Sequence, residues 1–178
     1  MVTSPILYLL DQKGADLLKT EWGGEQVKWT RDHQKVTSLF LAHTLALNDV
    51  RVAITCACRV CGYRILTWTG ERDLKAHYES VTIQTRTGRE ARAPILPDGY
   101  FALVGTRSDP KSAAHFFVEL DRGTETTERF ERKIRAYIAY LNSGGYTARY
   151  GTKSLRVLTV TEGKRRLTHL KHVTEQVG

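Results

Sequence analysis

The sequence predicts an α/β domain in which a mixed β-sheet carries helices on both of its faces. Three patterns support this fold class: a long helical repeat of apolar residues over 37–61, several short strand-like runs, and a helical segment between the last two runs. Those two runs, His115–Leu120 and Leu155–Val160, are expected to be parallel and joined by a right-handed crossover. The core order up to the last strand is αβββαβ, and a final helix is predicted after it, over 161–173.

The first part of the chain is predicted to be a separate segment, residues 1–30, with the main domain at 31–178. Within it, Tyr8–Leu10 has the composition of a short strand. Residues 11–14 are typical of a turn, and residues 15–20 of a brief helix.

The long helix opens the main domain. Its apolar positions over 37–61 recur at spacings of three, four and seven residues, and Gly62 stands where a helix commonly ends. Tyr63–Thr69 alternates and contains β-branched and aromatic residues, which predicts the first strand. Residues 71–96 are polar and rich in arginine, with one edge strand expected around Val81–Gln84.

Two further strands and a helix are predicted in the second half. Tyr100–Val104 is the first of these strands, and His115–Leu120 is the most apolar run of the chain, so it is expected to be central in the sheet. Thr124 is the predicted N-cap of a helix that ends near Asn142. The expected buried stripe of this helix consists of Phe130, Ile134, Tyr137 and Leu141.

Length and charge narrow the class of protein. A chain of 178 residues is long enough for one domain with a sizeable core, and 41% hydrophobic residues is ordinary for a globular protein. The formal net charge of +8 favours polyanionic partners, because neutralised phosphates release counterions. The apolar run Ile6–Leu10 is too short for a secretory signal, and no segment approaches the ~20 apolar residues of a membrane span. A cytoplasmic location without a membrane partner is therefore expected.

Two common kinds of site find no support in the sequence. Cys56, Cys58 and Cys61 lie close together, but zinc prefers four ligands and no second pair exists. We interpret them as small apolar packing residues in a reducing cytosol. No G-x-x-x-x-G-K-[ST] motif occurs, which argues against an ATP-driven motor.

Three acidic residues form the strongest candidate site. Asp98 begins one predicted strand, while Glu119 and Asp121 lie two apart at the end of the next, so both should point to one face. If the strands pair, three carboxylates meet at one edge of the sheet. Hard oxygen ligands of this kind suit Mg²⁺ or Mn²⁺. In the alternative interpretation, Asp98 is a turn residue and Asp121 pairs with Arg122 or Lys133.

The order αβββαβ, with Pro97-Asp98 on one strand and Glu119 on the next, resembles the PD-(D/E)xK nuclease fold, a restriction-endonuclease-like core. The resemblance implies that Asp98 and Glu119 bind a metal ion, with a lysine two residues after the glutamate orienting water. Asp121 stands at that position instead, as a third ligand or orienting group. Lys133 on the following helix is the candidate for the missing positive charge.

Longer segments of the sequence resemble the replication-relaxation family of plasmids and other mobile elements, over about residues 5–172. The resembling segments are HTLALND at 43–49, LPD at 96–98, FVELDRGT at 117–124, Lys133 with Tyr137, and RVLTVT at 156–161. Family members usually begin with a winged helix, and residues 5–20 look like the final strand and helix of one. The resemblance implies a role in replication, relaxation or mobilisation of plasmid-like DNA.

Other polar residues are secondary candidates. Asn48 and Asp49 on the long helix, and Glu71 after the first strand, could reach the acidic cluster, or they could be polar residues at a helix–sheet junction. The candidate phosphate contacts, which could also be ordinary solvated surface, are Arg122, Lys164, Arg165 and Arg166, together with the loop residues Arg86, Arg89 and Arg92.

Three functional hypotheses follow. The first is a nuclease-like DNA-processing protein that depends on Mg²⁺ or Mn²⁺. The second is a catalytically inactive DNA-binding or protein-docking module in plasmid replication or mobilisation. The third is a regulator that needs a winged helix to recognise DNA. DNA is the partner expected in each case, plasmid replication or mobilisation proteins are further candidates, and homodimerisation is left open.

Overall fold

A computed structural model of the chain describes residues 10–22 and 38–177. Contacts divide the chain into two compact units, residues 1–44 and 45–178. Of the predicted strand Tyr8–Leu10, the first two residues lie outside the described part, and the predicted domain boundary after residue 30 stays a prediction. Among the helices of the described residues, none has the length and apolarity needed to cross a bilayer.

The first unit contains helix α1, Gln12–Trp22. Asp11 precedes it, and the Asp11 carboxylate accepts a hydrogen bond of 2.8 Å from the backbone N–H of Gly14. The predicted turn over 11–14 is therefore wrong, because this side chain caps the first turn of a helix instead. The helix predicted over 15–20 is confirmed and is longer at both ends, and Ala15 is fully buried.

The remaining elements follow closely along the chain. They are α2 (Ser38–Cys61), β1 (Tyr63–Gly70), α3 (Glu71–Ala76), β2 (Glu79–Gln84), β3 (Glu90–Ile95), β4 (Gly99–Gly105), β5 (Ala114–Asp121), α4 (Thr127–Asn142), α5 (Gly145–Tyr150), β6 (Leu155–Thr161) and α6 (Lys164–Val177). Gly62 ends α2 with a φ of 72°, the left-handed conformation that a glycine adopts at no steric cost.

Four strands form the main sheet in the order β1-β4-β5-β6. β4 is antiparallel to both β1 and β5, whereas β5 and β6 are parallel and are connected through α4 and α5. The predicted mixed α/β fold with flanking helices is thus confirmed. β5 lies in the interior of the sheet, and its residues Phe117 and Val118 are fully buried, as expected for the most apolar strand.

An aromatic row crosses the sheet and fixes the register of its strands. Trp68, Phe101 and Phe116 are register partners on β1, β4 and β5, and their rings stack at centroid distances of 5.3 and 4.7 Å. The guanidinium groups of Arg51 and Arg156 lie over the two outer rings, at 5.5 and 5.6 Å. A shift of register by one residue would break every one of these contacts.

β2 and β3 form a separate antiparallel hairpin. The predicted edge strand Val81–Gln84 is part of β2, but it pairs with β3 rather than with the main sheet. The reason is a tight turn in which the N–H of Thr85 donates to the carbonyl of Arg89 and Gly88 adopts a φ of 75°. Both strands of the hairpin pack against α4.

Helix α4 joins the sheet, the hairpin and α6 into one core. Its predicted stripe is confirmed: Phe130, Ile134 and Tyr137 are buried and Leu141 is half-buried. The core residues that meet it include Leu74 of α3, Ile83 and Ala93 of the hairpin, Phe117 of β5, and Leu170 and Val173 of α6. The predicted N-cap Thr124 is wrong, because the Thr126 hydroxyl accepts the hydrogen bond from the N–H of Arg129.

Replacing Thr126 by Ala should therefore lower the free energy of unfolding by about 1 kcal/mol, the usual cost of removing an N-cap side chain. Urea denaturation followed by circular dichroism measures this loss. The matched control is Thr124→Ala in the exposed turn before the helix, which should stay within ~0.5 kcal/mol of the parent chain. Equal losses in the two variants would contradict the assignment of the cap.

Candidate functional site

Three strands of the main sheet end close together and bring acidic residues to one edge. Gly99 pairs with Gly70 of β1 on one side and with Val118 of β5 on the other. The residues adjacent to these partners are Glu71 at the start of α3, Asp98 before β4, and Glu119 on β5. The sheet register thus places Asp98 between the two glutamate positions.

Asp98 is bound firmly to β5. Its Oδ2 accepts a hydrogen bond of 2.8 Å from the backbone N–H of Leu120, and its own N–H donates to the carbonyl of Val118 at 2.9 Å. These two hydrogen bonds give the half-buried carboxylate a fixed direction. Asp98 therefore also joins the start of β4 to β5.

Glu119 is buried and has charged and polar partners on α4. Its side chain is 2% exposed, its Oε2 lies 2.7 Å from Nζ of Lys133, and its Oε1 accepts a hydrogen bond from the hydroxyl of Tyr137. Burial raises the pKa of Glu119 from 4.5 to about 7, and the charge of Asp98 adds to this, while Lys133 opposes it. The carboxyl group can therefore hold or release a proton near neutral pH.

Lys133 bridges two carboxylates. Its Nζ lies 2.7 Å from Glu119 and 3.1 Å from the Oε1 of Glu125, which precedes α4. Burial lowers the pKa of Lys133, but the two carboxylates outweigh this and the net shift is upward, so the side chain stays charged. Lys133 and Tyr137 reach Glu119 together because residues four apart share one face of a helix.

Asp121 is held in a different ion pair. Its oxygens accept hydrogen bonds from Nε and Nη2 of Arg166 at 2.7 and 3.0 Å, and from the hydroxyl of Thr161 at 2.9 Å. The Arg166 guanidinium holds the pKa of Asp121 below its ordinary value. Arg166 also donates to the backbone carbonyl of Glu125 at 2.7 Å. The structure thus shows Asp121 in a structural pairing of β5 with α6, and its proposed role toward a metal stays a prediction.

A pocket of about 270 Å³ lies beside the acidic residues. Its charged lining consists of Glu71, Asp98, Lys75, Arg129, Arg132 and Lys133, and its other walls come from Ala93, Pro94, Leu96 and Ala136. Carboxylate oxygens of Glu71 and Asp98 come within 4.8 Å of each other. Oxygen donors at this separation could together hold a metal ion.

The other candidate residues are distributed over the surface. Asn48 and Asp49 are exposed on α2, and Lys164 and Arg165 are exposed at the start of α6. Arg122 is exposed just after β5. Their roles toward DNA or a metal stay predictions.

Three residues were not singled out as site residues in the sequence. Tyr137 was expected as a core residue and as part of the family resemblance, but not as a partner of Glu119, although its spacing from Lys133 places both on one face of α4. Glu125 was not singled out, and Lys75 lies in the polar segment 71–96, for which no helix is predicted. The i,i+4 spacing of Glu71 and Lys75 was the available signal.

A model of the family described as Replication-relaxation matches residues 2–155 of the chain. This stretch includes Glu71, Asp98, Glu119 and Lys133 and ends before Arg166. No curated protein sequence matches the chain, and no solved structure does.

The raised pKa of Glu119 predicts a specific dependence of stability on pH. The folded protein holds the Glu119 proton more tightly than the unfolded chain does. The contribution of protonated Glu119 to stability is therefore present below pH 4.5 and is lost as the pH rises toward 7. Relative to Glu119→Gln, the parent chain should lose on the order of 3 kcal/mol of unfolding free energy across this window. Urea denaturation at several pH values tests it. A substitution of the exposed Glu162 is the control. Parallel curves of unfolding free energy against pH for the parent chain and Glu119→Gln would refute the prediction.

Asp121→Asn should lower the free energy of unfolding by about 2 kcal/mol at neutral pH, because Arg166 loses its buried charged partner. Since the pKa of Asp121 is lowered, its contribution is present above about pH 3.8 and disappears as the pH falls further. The two unfolding curves should therefore converge in acid. Glu175→Gln, which breaks the exposed Lys171–Glu175 pair, should change stability by less than ~0.5 kcal/mol. An equally small loss of unfolding free energy in Asp121→Asn would contradict the proposal that the Asp121–Arg166 pair stabilises the fold.

Proposed function

The chain belongs to the replication-relaxation family, and from this membership and the pocket lined by Glu71 and Asp98 we propose that it is a DNA-processing protein that cleaves phosphodiester bonds with a divalent cation. The proposed substrate is plasmid or mobile-element DNA, as the resemblance to that family implies. One observation carries the proposal: Asp98, Glu71 and Lys133 line the same pocket, and Lys133 is paired with Glu119.

The Glu119–Lys133 pair supports a nuclease-like arrangement despite the missing lysine at the end of β5. In the PD-(D/E)xK pattern the lysine stands two residues after the glutamate, where this chain has Asp121. Here a lysine from α4 comes within 2.7 Å of the same glutamate. The positive charge is therefore present in the pocket, although it is attached to a different element.

Glu71 and Asp98 are the residues that would hold the cation. Both offer hard oxygen ligands, and the hydrogen bond from Leu120 fixes the direction of Asp98. When bound there, Mg²⁺ or Mn²⁺ would supply an activated water and stabilise negative charge on a phosphate. Lys133 would place a second positive charge beside the phosphate, and Glu125 would keep that ammonium group in position.

Basic side chains around the pocket support DNA as the substrate. Arg129, Arg132 and Lys75 line it together with Lys133, so four cationic groups surround two acidic ones. The formal net charge of the chain is +8. Such a surface attracts the phosphate backbone without regard to base sequence.

A specific observation favours the alternative, a catalytically inactive DNA-binding or docking module. Asp121 occupies the position of the catalytic lysine and is held by Arg166, while both oxygens of Glu119 already have partners. An arrangement of this kind could stabilise the fold alone. DNA binding by the basic side chains would then remain without cleavage.

The decisive variant is Asp98→Asn, because the amide oxygen can still accept the hydrogen bond from Leu120 while the charge is lost. With Mn²⁺, the parent protein should nick supercoiled plasmid, and the variant should nick on the order of 100-fold more slowly. Agarose gel electrophoresis of the plasmid forms measures both rates.

Asp109→Asn is the matched control, since its side chain also accepts a backbone hydrogen bond, from the N–H of Lys111, in a loop that follows the far end of β4. It should nick at the parent rate. If neither the parent nor Asp98→Asn nicks DNA, yet both bind it with a steep dependence on salt, the inactive DNA-binding alternative holds.

A further inference from the structure

We propose that Lys75 is an exchangeable counter-ion of the pocket: it neutralises the carboxylate of Glu71 in the free protein and binds a DNA phosphate once a divalent cation is present. This inference rests on the proposed function and adds to it a residue that contacts the phosphodiester. It also predicts that the cation and DNA bind cooperatively.

Lys75 carries the exchangeable charge. Its Nζ forms an ion pair with Oε1 of Glu71 across one turn of α3, and both side chains line the pocket that contains Asp98. The side chain of Lys75 is 54% exposed, so its flexible stem can swing without disturbing the core. The ammonium group of Lys75 therefore occupies one side of the Glu71 carboxylate, and a cation bound in the pocket would need that same carboxylate.

Lys133 supplies a fixed positive charge beside the exchangeable one. Its Nζ lies between Glu119 at 2.7 Å and Glu125 at 3.1 Å. Glu125 also pairs at 3.3 Å with Arg129, which lines the pocket as Lys133 does. Because Glu119 is buried on β5 and Lys133 is its charged partner, Lys133 keeps this pairing when a cation binds.

Electrostatics links Lys75 to cation and DNA binding. A divalent cation at Glu71 and Asp98 repels an ammonium group that shares the same carboxylate, so the two compete for Glu71. The displaced ammonium remains tethered in the pocket near Arg129 and Arg132. A DNA phosphodiester replaces the carboxylate partner that this ammonium group has lost. Each ligand should therefore raise the affinity of the protein for the other by the same factor.

The test measures binding, and cleavage is not needed for it. Mn²⁺ affinity is determined by isothermal titration calorimetry. DNA affinity is determined by fluorescence anisotropy of a labelled oligonucleotide in Ca²⁺ and in EDTA. Lys75→Met should bind Mn²⁺ about two- to five-fold more tightly, because a competing ammonium is gone, and should lose most of the enhancement of DNA binding by Ca²⁺. Lys75→Arg should retain that enhancement, since the positive charge is kept.

Lys171→Met is the matched control, because Lys171 forms the same kind of i,i+4 pair with Glu175 on the exposed surface of α6. It should leave Mn²⁺ affinity and the effect of Ca²⁺ unchanged. If Lys75→Met binds Mn²⁺ no more tightly than the parent, or keeps the full effect of Ca²⁺ on DNA binding, the exchange is refuted while the cation site stands. If the parent itself binds no Mn²⁺, the exchange and the proposed function are both refuted.

Discussion

The contact between Glu119 and Lys133 is the interaction on which the rest of the site depends. Glu119 lies on the interior strand of the sheet, where an unpaired carboxylate would be very costly. α4 must therefore lie over β5 in a register that brings Lys133 and Tyr137 to the two carboxylate oxygens. The same register directs Arg129 and Arg132 of α4 toward the pocket. One buried acid thus links the packing of the helix to the composition of the candidate site.

The hairpin of β2 and β3 shows how the fold completes this pocket. Because it pairs only with itself, it is not bound to the edge of the main sheet and can pack on α4 instead. The Arg132 guanidinium donates to the carbonyl of Arg92, and Arg86 forms an ion pair with Glu131 of α4. These contacts hold Ala93 and Pro94 of β3 against the pocket. The two-stranded sheet therefore provides one wall of the site.

The sequence predicted those parts of the structure in which periodicity is strong. The α2 repeat, the apolar β5 and the stripe of α4 each point to one element, and all three are confirmed. β3 was missed because EARAPI contains a proline and charged residues, and its pairing depends on a local turn rather than on burial. Thr124 and Thr126 both suit an N-cap, and only the path of the chain after β5 decides between them. Side-chain partners such as Arg166 for Asp121 are separated by 45 residues and could not be read from spacing.

Glu119 and Asp121 show why position alone does not assign chemistry. They lie two residues apart on one strand, but one packs against a lysine and a tyrosine of α4 and the other receives a two-point contact from an arginine of α6. Burial dominates at Glu119 and raises its pKa, whereas the guanidinium dominates at Asp121 and lowers it. A carboxyl group that changes charge near neutral pH is suited to proton and ligand exchange, and one that is permanently ionised is suited to holding elements together. Burial and partner, rather than position along the strand, thus shift the two pKa values in opposite directions, and it is Lys133, the partner of Glu119, that lines the pocket.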